Sequence, residues 1–137
     1  MLAKEKEDIM LMTMKKSVLV GNAFPMSLIT RRVVIEPADA DMFRKEASVA
    51  DIFSFWGHRN TLDAASNMLG FDLTPATDRP AVRLSENGYP VLDGCEFKEC
   101  WLVTARYRPG FRPAVGEEVP SDAITGWQVL RMRWEDE

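Results

Sequence analysis

The sequence predicts an α+β fold: a single domain with a roughly five-stranded mixed sheet and helices mainly on one face. Three observations lead there. Short apolar runs closed by Gly or Pro recur along the chain, as in SVLVGN at 17–22 and RVVIEP at 32–37. Apolar residues at helical spacing cluster between residues 39 and 70. The remainder of the chain alternates strand-like runs with turn signals. At 137 residues and 46% apolar content the chain is long enough to bury one core.

Residues 1–14 read as an N-terminal extension without a fold of its own, with Met12 and Met14 as alternative starts; the domain then occupies 15–137. Ser17–Val20 form a buried strand ending at Gly21-Asn22, a pair suited to a sharp turn. PMSLI gives one helical turn, with Pro25 at its first position. RVVIEP is a second strand stopped by Pro37. Between Asp39 and Trp56 the pattern is helical, with Ser48 as N-cap, Val49, Ile52, Phe53 and Trp56 recurring at helical spacing and Gly57 as the stop. A second helix opens at Asn60 or Thr61, turns Leu62, Ala65, Met68 and Leu69 inward, and stops at Gly70.

RPAVRL leads into a turn at Asn87-Gly88. DGCEFKEC is read as irregular, and KECWLVTARYR as the longest strand. PGFRPAVGEEVP carries three prolines and two glycines in twelve residues and must be a loop. SDAIT gives a helical turn with Ser121 as cap, and WQVLRMRW a final strand. Trp56 and Trp101 sit in apolar patterns and belong to the core.

Composition excludes several function classes. A net charge of -4 argues against a broad face for long nucleic acid, while leaving room for a small anion in a local basic pocket. Cys95, Cys100 and a single histidine do not make a zinc site, so no metal and no cofactor are expected. Both cysteines read as plain thiols. No run is long and apolar enough for a membrane span, and no signal peptide is visible, so a cytoplasmic location is the default expectation.

The one histidine, His58, lies in GHRNT at 57–61, just ahead of a helix start. Helix N-termini present unpaired N–H groups and partial positive charge, which attract phosphate. Arg59 adds charge, Asn60 and Thr61 add donors, and Gly57 permits close approach. A single histidine in such a connection is more often an ordinary loop residue, and spacing alone does not make it catalytic. GNAF at 21–24 is ambiguous in the same way.

Together the two motifs say more. VLVGNAF followed by a short helical turn, then GHRNT opening a helix, resembles the small viral and phage ring nucleases that act as anti-CRISPR proteins against type III systems. That family carries strand-NAFS near the N-terminus and GHxST ahead of a helix. An Arg follows the helix, and a late strand ends in Arg with a Glu soon after. Asn22, Ala23 and Phe24 match the first motif, with Pro25 in place of its Ser. Gly57, His58 and Thr61 match the second, with Asn60 at the Ser position. Arg79 stands at the post-helix position and Arg108 at the end of the late strand. The resemblance runs from Ser17 to Trp134. The family Glu is absent, since Pro109, Gly110 and Phe111 occupy that stretch; Glu117 and Glu118 are the loop acids that could replace it.

The resemblance implies a two-fold homodimer that binds cyclic tetra-adenylate and cleaves it without a metal, countering type III CRISPR signalling. His58 would be the general acid. Asn22, Ala23, Phe24, Pro25, Arg59, Asn60, Thr61, Arg79 and Arg108 would bind the ligand. Arg106 and Arg112 are weaker candidates, more readily read as solvated surface. Two other readings stay open: a sponge that holds a cyclic oligonucleotide uncut, and an inhibitor that uses the same fold to block a defence protein.

Overall fold

The computed structural model of the chain describes residues 16–56, 61–74, 82–112 and 119–136. Its main sheet has five strands in the order β2-β8-β7-β1-β3. These are β1 (Lys16–Gly21), β2 (Val33–Ala38), β3 (Ala50–Ser54), β7 (Glu99–Tyr107) and β8 (Ile124–Trp134). β1 runs parallel to both of its neighbours, β3 and β7, while β8 is antiparallel to β7 and to β2. A small antiparallel sheet holds β4 (Arg83–Leu84), β5 (Pro90–Leu92) and β6 (Cys95–Glu96). The helices are α1 (Ala40–Ala47) and α2 (Leu62–Leu69), with 3₁₀ turns at Met26–Leu28 and Ser121–Ala123.

Period-two alternation sorts the sheet into two cores. Val18, Val20, Trp101, Val103 and Val129 face one side, where Phe43 of α1 and Leu62, Ala65 and Leu69 of α2 cover them. Both helices therefore lie on one face, as the sequence predicts. Leu19, Cys100, Leu102, Met132 and Trp134 face the other side, under Phe24, Tyr89, Leu92 and Phe97. The small sheet and the chain after β1 supply that cover. Trp56 and Trp101 are fully enclosed, and both cysteines are free thiols, Cys95 exposed and Cys100 buried. Burial raises the Cys100 thiol pKa far above its ordinary value. No described helix is long and apolar enough to cross a membrane.

Four expectations need correction. The helix expected after Ser48 is a strand: α1 begins earlier, capped by the Asp39 carboxylate, which accepts from Met42 N at 2.9 Å. Ser48 stands at the C-terminal end of α1, and Ala50–Ser54 form β3. The apolar spacing misleads because a strand covered on both faces needs no alternation. Ile52 packs into the helix-side core and Phe53 into the other, while Val49 is 64% exposed. Second, Pro37 does not stop β2 but lies inside it, opposite Leu130. An edge strand tolerates this because the missing N–H is on the outer side. Third, DGCEFKEC holds the turn and second strand of the β5–β6 hairpin and the first two residues of β7. Asp93 and Gly94 both have positive φ, 51° and 78°, as a tight hairpin turn requires. Fourth, the longest strand is β8 with 11 residues, against 9 in β7.

A buried ion cluster closes the amino-terminal edge of β1 and β7. The Glu99 carboxylate is 1% exposed as a residue and accepts from Lys16 Nζ at 2.9 Å, Arg131 at 2.8 and 3.0 Å, and Trp101 Nε1 at 3.1 Å. Glu46 at the end of α1 pairs with the same two cations, at 3.0 Å to Lys16 and 3.7 Å to Arg131. Burial by itself would raise the Glu99 pKa. The hydrogen bonds from Lys16, Trp101 and Arg131 outweigh it and hold the pKa below the usual carboxylate range. A carboxylate whose pKa is lowered by folding stabilises the protein above its unfolded pKa, and that contribution is lost as pH falls through the folded value. Denaturant melts of Glu99→Gln should therefore show a loss of about 1–3 kcal/mol at pH 7, because half-exposed Lys16 and partly buried Arg131 lose their shared acceptor and keep only Glu46. The gap between Glu99→Gln and wild type should narrow as pH drops below the ordinary carboxylate range.

Candidate functional site

The strand that GNAF follows and the strand that GHRNT follows in sequence are neighbours, and residues 57–60 of GHRNT lie outside the described residues. β1 and β3 are adjacent and parallel, in register from Lys16↔Ala50 to Val20↔Ser54. Their carboxyl ends therefore lie side by side. In parallel sheets ligands bind outside the carboxyl ends of the strands, where loops converge on helix N-termini. GNAF leaves β1 there. Phe55 and Trp56 leave β3 there; Thr61 directly precedes α2 in the chain.

The ends of the two strands are in direct contact. Phe55 N donates to Val20 O at 2.9 Å, extending the parallel ladder by one bond. The Phe55 ring lies against Gly21 so closely that a Cβ there would sit 2.5 Å from its carbons. Phe24 meets the same ring edge-on, with centroids 6.3 Å apart, and packs on Trp134 at 5.4 Å. Gly21 is thus required by an aromatic neighbour.

The site residues fall into three groups. The first lies around the turn after β1. Asn22 is half-buried, and its carbonyl accepts from Thr104 Oγ1 at 3.2 Å. Ala23 and Pro25 are exposed, and Pro25, with φ -65°, opens the first 3₁₀ turn. The Phe24 side chain is 5% exposed and belongs to the core, so only its backbone can face a ligand. Thr61 is 4% exposed; its carbonyl accepts from Ala65 N at 2.9 Å and its hydroxyl makes no capping bond.

Arg108 forms the second group. β1 pairs with β7 only as far as Gly21↔Leu102, whereas β7 and β8 run on together to Tyr107↔Ile124. That hairpin overhangs the rest of the sheet. Arg108 lies four residues past Thr104, about 13 Å along an extended strand, so it is not beside the Asn22 turn. Its guanidinium pairs with Asp122 at 3.5 Å and stands 5.4 Å from the Phe111 ring centroid. Arg106 and Arg112 are exposed.

His58, Arg59, Asn60, Arg79, Glu117 and Glu118 form the third group and lie outside the described residues. Among the described residues no cluster of three His, Cys, Asp or Glu side chains could hold a metal ion. Sequence reading missed two residues at this edge. Phe55 broke the assumed helical period, and Thr104 is one exposed polar residue in a strand. Neither stands out until β1 is known to lie between β3 and β7.

Replacing Gly21 tests the contact. Gly21→Ala should cost about 1–3 kcal/mol in a denaturant melt, because the Phe55 ring must move to admit the methyl group. Pairing it with Phe55→Ala should recover part of that loss, and a double-mutant cycle reads the coupling.

Neither a scan against protein-family models nor a search of curated proteins finds a match to this chain.

Proposed function

We propose that this protein binds a cyclic oligoadenylate, cyclic tetra-adenylate in the first instance, at the carboxyl edge of β1 and β3 and cleaves it as a ring nuclease. One observation carries the reading. GNAF follows β1 and GHRNT follows β3 in sequence, both resemble motifs of that family, and the two strands end side by side.

The chemistry follows from the residue types. The ribose 2′-oxygen attacks the adjacent phosphorus and the bond to the 5′-oxygen breaks, leaving a 2′,3′-cyclic phosphate. The 2′-hydroxyl proton passes to solvent, and His58 gives a proton to the departing 5′-oxygen. An imidazole titrates in the right range for this work, and a general acid typically contributes about 10²–10⁴-fold. Holding the 2′-oxygen in line supplies much of the remainder. Backbone N–H groups of the Asn22–Phe24 turn and of the α2 start would hold phosphates, and Arg79 and Arg108 would offset the ring's charge. A two-fold dimer would present one His58 to each of two phosphates of the ring.

A second reading is supported by the surroundings of Arg108. Its guanidinium is engaged by Asp122 and Phe111, and no acid follows it at Pro109–Phe111. That favours a protein that holds the ring without cutting it.

Incubation with labelled cyclic tetra-adenylate in EDTA, wild type beside His58→Ala, separates these. The nuclease reading expects linear fragments ending in 2′,3′-cyclic phosphate from wild type, and at least about 100-fold slower cleavage by His58→Ala with binding retained. A bound but intact ring with wild type would select sequestration. No binding at all would sink both readings.

A further inference from the structure

The turn after β1 is held at both ends, and the residue between the two anchors is small and exposed. On one side the Asn22 carbonyl is fixed by the Thr104 hydroxyl of β7, at 3.2 Å. On the other, the Phe24 ring is locked in the core against Phe55 and Trp134. Pro25 then fixes the chain with φ -65°. Ala23 sits between these anchors, exposed, and its N–H makes no hydrogen bond to the described residues.

Peptide geometry turns the Thr104 bond into a direction. No described peptide is cis. In a planar trans unit the C=O and the following N–H point opposite ways. With the Asn22 carbonyl drawn toward β7, the Ala23 N–H is turned away from β7. β3 lies on that other side of β1, with Phe55 and Trp56 at its carboxyl end. The β1–β7 ladder has already ended at Gly21↔Leu102, so no strand bond sets this peptide, and the threonine hydroxyl takes over that role.

We propose that Thr104 is a positioning residue for the site, orienting the Asn22–Ala23 peptide so that the Ala23 N–H donates to a phosphate oxygen of the ligand. The inference rests on the nucleotide-binding reading above and adds a residue outside both motifs. A donor fixed before the ligand arrives loses little freedom on binding, and a hydrogen bond to a charged oxygen is stronger than one to a neutral acceptor.

Thr104→Val keeps the branched shape that suits a strand and removes only the hydroxyl; Thr104→Ser keeps the hydroxyl. The full chain, ¹⁵N-labelled, is titrated with cyclic tetra-adenylate and separately with inorganic phosphate while the Ala23 amide is followed. The expected result is a downfield Ala23 shift in wild type and Thr104→Ser. In Thr104→Val affinity should fall about fivefold and the shift should shrink, with the melting temperature unchanged. An undiminished shift and affinity in Thr104→Val would overturn the positioning role. An Ala23 amide silent to both ligands would overturn the donor assignment, even if the ring binds elsewhere. A Thr104-dependent response to phosphate without any binding of the ring would uphold this inference and remove the cyclic oligoadenylate reading alone.

Discussion

β1 has a parallel strand on each side and a core on each face, and Val18, Leu19 and Val20 have no exposed surface at all. Every other element answers to that position. A parallel neighbour cannot be reached by a hairpin, so the chain must cross the sheet between β1 and β3, and again between β3 and β7. The first crossing carries α1 and the second carries α2, and both cover the same face. The opposite face is left for the turn after β1 and for the small sheet. A strand that is apolar on both faces cannot take its register from alternation, because a slip by one residue would expose nothing polar to either core. Its ends set the register instead. Lys16 is tied to buried Glu99 at the start, and Gly21 fits beneath the Phe55 ring at the finish.

The legible parts of the fold were those with a local cause. The Ser17–Val20 run, the helix stopped by Gly70 and the final strand could be read from period and punctuation, and Gly70 does take a left-handed conformation, φ 66°. The segment 49–56 could not, because its spacing satisfies a helix and its burial on two faces satisfies a strand. Only the partner strand decides, and β1 lies some thirty residues earlier in the chain. The Asp93-Gly94 turn is a different case: its signal was present, but the strands it joins have only three and two residues, too short to show alternation.

The candidate site divides along the same line. That GNAF and GHRNT belong together was an inference from resemblance, and their residues carry no sign of proximity. Adjacency of β1 and β3 supplies a physical reason why such motifs would act jointly. Phe24 was named for the ligand, yet its ring serves the core; sequence alone does not separate a residue that shapes a turn from one that touches what the turn holds. Arg108 marks the opposite difficulty. It ends a strand, as expected, but β7 outruns β1, and the length of that overhang follows from pairing with β8.

The proline inside β2 bears on how copies of this molecule can meet. β2 and β3 are the two borders of the main sheet, and lateral growth of a sheet into a fibre needs both borders to accept a strand. Pro37 takes a donor away from one border while leaving its pairing to β8 intact. Addition at the other border joins like to like, which closes on itself after two chains. Among the described residues Pro37 thus makes the two borders of the sheet unequal as places for an added strand.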